Sequence, residues 1–88
     1  MKNSKEAIFR DCAYKILFRL NCSRGLNVTE LSFSTRINQP YVSNLVTLLV
    51  GEGIILKTKA DGRSFLLTLT EKGKKITELI IKIMELIK

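Results

Sequence analysis

The sequence contains no histidine and only two cysteines, Cys12 and Cys22. Without histidine, neither a zinc site with four cysteine or histidine ligands nor a cysteine–histidine catalytic pair can be assembled. The few carboxylates are scattered over predicted helices and caps, and no glycine-rich loop of the phosphate-binding kind occurs. We therefore expect no enzymatic activity, no metal and no cofactor.

Long apolar runs are also missing. No run approaches the roughly 18 residues of a membrane span, and no signal-peptide pattern opens the chain. The resulting prediction is a cytoplasmic protein without a membrane partner.

The two cysteines lie ten positions apart (22 − 12). On one continuous helix this spacing is about 15 Å along the axis, which is too far for an intrachain disulfide with Cα atoms within about 7 Å. Buried free thiols and a disulfide between subunits both remain open.

Acidic residues are few as well. The 88-residue chain has 8 acidic and 15 basic residues, which gives it a net charge of +7. This excess favours a polyanionic partner such as nucleic acid, or more weakly an anionic membrane surface. A basic protein with no such partner is the alternative. With 45% hydrophobic and 26% charged residues, the composition is that of one folded domain.

A first helix is predicted over about residues 4–22, because Asn3 and Glu6 have the spacing of an N-cap and its return partner. Its core face is flanked by Ile8 and Phe9 and consists of Ala13, Ile16, Leu17 and Leu20. Tyr14 and Phe18 point to the opposite side of the helix, so we expect another element to pack against this aromatic pair.

The same capping pattern recurs at Asn27 and Glu30 and predicts a short second helix over residues 28–35. A tight turn follows at residues 36–38. Asn38 can then cap a third helix, whose first turn tolerates Pro40 because the missing N–H has no helical partner there.

The third helix ends at Gly51-Glu52-Gly53, where Gly53 is predicted to adopt the left-handed cap conformation. Its buried stripe is predicted to be Val42, Leu45, Val46 and Leu49. Its sides and outer face carry Gln39, Tyr41, Ser43, Asn44 and Thr47. Residues 39–51 contain no charge, whereas a solvated helix face is usually rich in lysine and glutamate.

Two strand-like runs flank Asp61-Gly62, which predicts a hairpin with a two-residue turn. Closing the turn there pairs Ile54 with Leu69, Leu56 with Leu67 and Thr58 with Phe65 on one buried face. Lys57 and Lys59 then fall on the open face, and Arg63 lies at the tip.

Thr70 caps a last helix that runs to the carboxyl end. Its isoleucines recur at the four-three-four spacing of a coiled-coil seam, and Leu79, Met84 and Leu86 widen the apolar face. This apolar surface exceeds what the core of one chain can cover, which predicts a homodimer formed through the last helix and the outer face of the first helix. The predicted interface is Tyr14, Phe18, Ile76, Ile80, Ile83, Met84 and Ile87. Alternatively, the last helix folds back and covers the two aromatic side chains within one chain.

The order helix, short helix, turn, helix, basic hairpin, helix predicts an α+β, mostly helical winged helix-turn-helix fold with a C-terminal dimerisation helix. Residues 1–88 form a single domain, with the helix-turn-helix at 27–50, the wing hairpin at 54–69 and the dimerisation helix at 70–88.

In such a unit the second helix of the motif enters the major groove of double-stranded DNA. Amide and hydroxyl side chains on its outer face can read base edges, and wing cations can contact phosphates or the minor groove. The candidate DNA-binding residues are Arg36, Gln39, Pro40, Tyr41, Ser43, Asn44, Thr47, Lys57, Lys59 and Arg63. Lys72, Lys74 and Lys75 are weaker candidates.

Residues 29–55, TELSFSTRINQPYVSNLVTLLVGEGII, and 61–76, DGRSFLLTLTEKGKKI, resemble the DNA-binding core of MarR-type winged-helix regulators. The resemblance covers roughly residues 27–76. Compact versions of this domain are similar to the ones that archaea and their viruses encode. The resemblance implies a dimer formed through terminal helices and transcriptional repression. It also implies that Gln39–Asn44 reads the major groove and that Arg63 is the wing arginine.

Two features depart from the family pattern. Arg36 stands in the turn where the family usually has glycine, which predicts either local strain or a different local geometry of the turn. The long terminal helices that shape the family's effector pocket are missing from this sequence, so any small-molecule effector is unknown.

Two further functions compete with a sequence-specific regulator. An architectural protein would coat DNA without reading it and would lack the specificity ratio of about 10³ or more that marks an operator-binding protein. A winged helix can also serve as a protein-interaction module, although the basic wing argues against this.

Overall fold

The computed structural model describes residues 12–59 and 65–87. The elements are α1 (Ala13–Asn21), α2 (Val28–Thr35), α3 (Gln39–Gly51), β1 (Ile55–Lys59), β2 (Phe65–Leu69) and α4 (Glu71–Ile87). The two strands form one antiparallel hairpin, so the mostly helical α+β fold expected from the sequence is confirmed. Among the described helices, none is both long and apolar enough to cross a membrane.

The predicted core face of α1 is confirmed, since Ala13, Ile16, Leu17 and Leu20 are all buried. The expected amino-terminal part of this helix, with its Asn3–Glu6 cap and the flanking Ile8 and Phe9, lies outside the described residues. Both cysteines are free: Cys12 is half-buried, but Cys22 is exposed. The expectation of two buried thiols is therefore wrong for Cys22, which follows the last residue of α1 as the chain leaves the core.

Two local caps start α2 and α3 as predicted. The backbone N–H of Asn27 donates to Glu30 Oε1 at 2.9 Å, and the N–H of Glu30 donates back to Asn27 Oδ1 at 2.7 Å. At the next helix, the N–H of Tyr41 donates to Asn38 Oδ1 at 3.0 Å, and Pro40 lies in the first turn. Each cap satisfies amides that have no partner within the helix, which fixes where the helix begins.

The carboxyl end of α3 is closed by a Schellman motif. Gly53 has φ +76°, its N–H donates to the carbonyl of Val50 at 3.0 Å, and the N–H of Ile54 donates to the carbonyl of Leu49 at 2.9 Å. The predicted left-handed cap at Gly53 is thus confirmed. The motif also carries Ile54 directly into the core, where it is buried.

One hydrophobic core lies between α1, α2, α3 and the inner side of the hairpin. Leu31, Leu45, Leu49 and Leu67 are among its fully buried side chains. Leu26 extends the sheet, because its backbone exchanges hydrogen bonds of 3.1 and 2.8 Å with Leu67. The predicted buried stripe of α3 is confirmed at all four positions: Val42, Leu45, Val46 and Leu49.

The predicted hairpin register is wrong by one residue. The observed pairs are Ile55 with Leu69, Leu56 with Thr68, Lys57 with Leu67, Thr58 with Leu66 and Lys59 with Phe65. Because the Schellman motif already buries Ile54, Ile55 takes the first inward position of β1 and Leu56 turns outward, half exposed. The predicted two-residue turn at Asp61-Gly62 lies outside the described residues.

This shift also moves the lysines to the other side of the hairpin. Lys57 and Lys59 lie on the same side of the hairpin as the buried Ile55, Leu67 and Leu69, whereas they were expected on its open face. They stay exposed because this end of the strand extends beyond the core.

Helix α4 begins at its predicted cap. Thr70 Oγ1 accepts the N–H of Gly73 at 3.0 Å and donates to the carbonyl of Gly53 at 2.6 Å. Lys72 Nζ donates to the carbonyl of Glu52 at 2.8 Å. This lysine, a weaker DNA-binding candidate from the sequence, is therefore engaged in closing the end of α3.

The isoleucine stripe of α4 divides between two environments. Ile76 and Ile80 are half-buried against the core of their own chain, whereas Ile83, Met84 and Ile87 further along are exposed. Helix α4 also packs against α1, and Phe18 shares a shallow cleft with Ile81 and Met84. The alternative in which α4 covers the aromatic pair within one chain thus holds in part, because Tyr14 and Phe18 are half-buried.

Candidate nucleic-acid interface

The outer face of α3 is a continuous uncharged polar surface. Exposed along it are Gln39, Pro40, Ser43, Asn44 and Thr47. Thr47 Oγ1 donates to the carbonyl of Ser43 at 3.0 Å, so its hydroxyl is engaged as a donor and remains an acceptor. The amides of Gln39 and Asn44 have no partner within the described part, which leaves both donors and acceptors open to solvent or a base edge.

Tyr41 differs from its neighbours on α3. It is half-buried and packs against the core cluster, so the ring contributes to holding the helix in place. The sequence placed Tyr41 with the outward group because its position falls at the side of the helix, where packing against the core depends on neighbouring elements.

Arg36 occupies the turn between α2 and α3 in the left-handed conformation, with φ 61° and ψ 33°. Among the described residues it alone combines a side chain with a positive φ. Side-chain hydrogen bonds hold the turn, since Ser32 Oγ donates to the carbonyl of Ile37 at 2.5 Å and Thr35 Oγ1 donates to that of Leu31 at 2.6 Å. The strain that the sequence predicted at this position is present.

Replacing Arg36 with glycine is expected to stabilise the fold by about 0.5–1 kcal/mol. A left-handed residue with a Cβ costs about 1–2 kcal/mol, and the greater freedom of glycine in the unfolded chain offsets part of that gain. Chemical denaturation measures the difference. Arg24→Gly is the matched control, because Arg24 has no positive φ and should lose stability. If both variants lose stability equally, the turn is not strained.

The wing presents two exposed lysines. Lys57 Nζ lies 4.5 Å from the centroid of the Phe65 ring, a cation–π contact that holds the side chain along the strand. Lys59, paired with Phe65 across the hairpin, is exposed and ends β1. Arg63, predicted at the tip, lies outside the described residues.

Sequence reasoning missed three exposed groups near this surface. Phe33 on α2 is 87% exposed and lines a shallow cleft beside Arg36 and Asn38. Lys15 and Arg19 are exposed on α1. Their helical spacing of four marks a common face of α1, but only the packing of α2 against α1 brings Arg36 next to them.

Comparison with known proteins agrees with this geometry. The MarR family model matches residues 12–65, and no curated protein sequence matches the chain. MepR, a transcription regulator of the Staphylococcus aureus multidrug efflux pump MepA, superimposes with a TM-score of 0.83 at 20% identity. The match covers 96% of this chain and 69% of MepR.

Two other structures extend this likeness. AF1382 from Archaeoglobus fulgidus has a TM-score of 0.80 at 18% identity, with 98% of each chain covered. CouR, a transcriptional repressor bound to a 23-mer DNA duplex, has a TM-score of 0.78 at 25% identity, with 90% of this chain and 60% of CouR covered. Sequence identities this low, which are below 25% for MepR and AF1382, are evidence for a shared fold alone.

The fold and the polar face of α3 define a winged helix-turn-helix protein, of the class of DNA-binding transcription regulators. Because the family model spans more than half of the sequence, the chain belongs to the MarR family. The resemblance of this sequence to MarR-type winged-helix regulators is thus confirmed.

Proposed function

We propose that this protein binds a specific double-stranded DNA sequence as a homodimer and represses transcription. The observation that carries the proposal is the exposed, uncharged face of α3, on which the amides of Gln39 and Asn44 have no partner among the described residues. Amides pair bidentately with adenine in the major groove, and hydroxyls approach most base edges. Support from relatives comes from CouR, the DNA-bound repressor of the same fold.

Phosphate contacts would hold the protein in register on the duplex. Lys57 and Lys59 on the wing, Arg36 in the turn and the net charge of +7 supply the cations. Arg63 completes this set in the proposal. Pro40, Ser43 and Thr47 would line the groove beside the two amides.

The homodimer follows from α4. Its isoleucine stripe starts against the core at Ile76 and Ile80 and continues past it, so that Ile83 is 56% and Ile87 79% exposed. Pairing across a two-fold axis would bury Ile83, Met84 and Ile87 together. Tyr14 and Phe18, half-buried beside α4, would border the interface.

Selection of bound duplexes from a random pool tests this function. A specific homodimer should return a palindromic consensus with half-sites about one helical turn, near 34 Å, apart. An architectural protein should return no consensus and should bind random and selected duplexes alike. Failure to retain any duplex at low salt would reject DNA binding altogether.

Base reading by Asn44 makes a sharper prediction. Asn44→Ala should weaken binding to the selected site by about 1–3 kcal/mol and leave binding to random DNA unchanged, because only the base contact is lost. Fluorescence anisotropy titrations on both duplexes measure this. Asn21→Ala, which removes an exposed amide at the end of α1, is the control. Equal losses on both duplexes would contradict base reading.

The wing makes a different prediction. Lys59→Ala should weaken binding to every sequence alike and reduce the slope of log K against log salt by about 0.9, the value for one phosphate contact. Titrations at several salt concentrations measure the slope. An unchanged slope and affinity would remove Lys59 from the interface.

A further inference from the structure

A cationic cleft lies between α1 and the turn of the helix-turn-helix. Its lining includes Lys15 and Arg19 on α1 and Arg36 in the turn, and Phe18 and Cys22 of α1 and its C-cap also line it. Within the part that the structure describes, none of the three cations makes an ion pair or a side-chain hydrogen bond. The hydroxyls on the α2 side are engaged, since Thr35 Oγ1 donates to the carbonyl of Leu31 at 2.6 Å.

Three positive charges around one open cleft, with no partner among the described residues, repel one another, and this repulsion is relieved when an anion enters. Cations that served only solubility would be stabilised by nearby carboxylates. The residues that line this cleft include no carboxylate. The clustering therefore indicates an anionic ligand.

Arg36 adds an independent observation. It holds a left-handed conformation that glycine would adopt without strain, and strained residues of this kind concentrate at functional sites. Its side chain also lines the neighbouring cleft with Asn38, the cap of α3. The positive surface thus continues from α1 through Arg36 to the amino end of the helix proposed to enter the groove.

We propose that this α1–turn cleft binds the sugar-phosphate backbone of the same DNA, beyond the groove occupied by α3. The proposal rests on the proposed function and extends it: Lys15 and Arg19 join Arg36 as phosphate contacts. DNA is the occupant that the geometry favours, because Arg36 is three residues from Gln39 and so within about 11 Å of it along the chain. Duplex DNA carries about one negative charge per 1.7 Å of axis.

The salt dependence of binding tests the contacts. In the double variant Lys15→Gln with Arg19→Gln, the slope of log K against log salt should fall by about 1.8, for two lost phosphate contacts. Affinity should fall by the same factor on selected and random duplexes. Lys82→Gln, an exposed charge removal on α4, should leave the slope unchanged. A double variant that behaves like Lys82→Gln, while wild type binds DNA, would overturn the cleft and leave the proposed function standing.

Cys22 provides a direct probe, because its exposed thiol lies in the same cleft. In a Cys12→Ser background, saturating DNA should slow alkylation of Cys22 by neutral N-ethylmaleimide at least fivefold, and high salt should restore the rate. A thiol introduced by Lys82→Cys in a chain lacking both native cysteines should react equally fast with and without DNA. An unchanged Cys22 rate at saturation would refute backbone contact here.

Inorganic phosphate distinguishes a small anion from DNA. At matched ionic strength, phosphate should protect Cys22 no better than chloride if the cleft is shaped for a polyanion. Protection by free phosphate, with no protection by DNA, would assign the cleft to a small anion and overturn the proposal. Failure of wild type to bind any duplex would instead reject the proposed function itself.

Discussion

Ile83→Glu is expected to convert a dimer into a monomer and to weaken DNA binding about 100-fold or more. Ile83 is 56% exposed in the single chain, so glutamate at this position is tolerated by the isolated fold. In a dimer it would bury a charge in each half of an apolar interface, which is costly without a partner. Loss of the second recognition helix then removes the avidity gained by linking two half-sites.

Sedimentation equilibrium at micromolar concentration measures the change, with wild type expected at the mass of two 10.0-kDa chains and the variant at one. Lys82→Gln is the matched control, because it lowers the net charge by the same amount at the adjacent exposed position. It should remain dimeric and retain its affinity for DNA. A wild-type protein that sediments as one 10.0-kDa chain would refute the dimer.

Gly73→Ala is expected to destabilise the fold by about 3 kcal/mol, the upper end of what overpacking costs. A Cβ at this position would collide with the carbonyl oxygen of Ile54. That carbonyl cannot move away freely, because it accepts the N–H of Thr70 at 3.1 Å and a 3.2 Å hydrogen bond from the Thr70 hydroxyl. The melting temperature should fall by roughly 12–24 °C, at about 4–8 °C for each kcal/mol.

Gly51→Ala supplies the control for this prediction. Gly51 lies in α3 without a positive φ, and an added Cβ there would meet no heavy atom within 4 Å. Alanine should therefore stabilise the chain by up to about 1 kcal/mol. Thermal unfolding of the two variants should move in opposite directions. If Gly73→Ala melts with wild type, the close approach of α4 to the end of α3 is not required for the fold.

The caps and the buried stripe of α3 could be predicted from the sequence. Asn27 with Glu30, and Asn38 ahead of α3, act through hydrogen bonds that span three residues, so their geometry is contained in the local sequence. The same holds for Gly53, whose left-handed conformation follows from where α3 must end. Local hydrogen bonding and helical periodicity thus determined both helices of the proposed DNA-binding motif and the polar face of the second.

The tertiary structure decided what depends on contacts between distant segments. The register of the hairpin follows from the core, which buries Ile54 and Ile55 in succession and turns Leu56 outward, so that alternation along the strand was misleading. The isoleucine stripe of α4 is uniform in sequence, yet only the edge of the core separates covered Ile76 from exposed Ile83. The cationic cleft arises because packing brings α1 beside a turn some twenty residues later. Contacts between segments that are distant in the sequence leave no periodic pattern in it, so the sequence alone could not reveal this cleft.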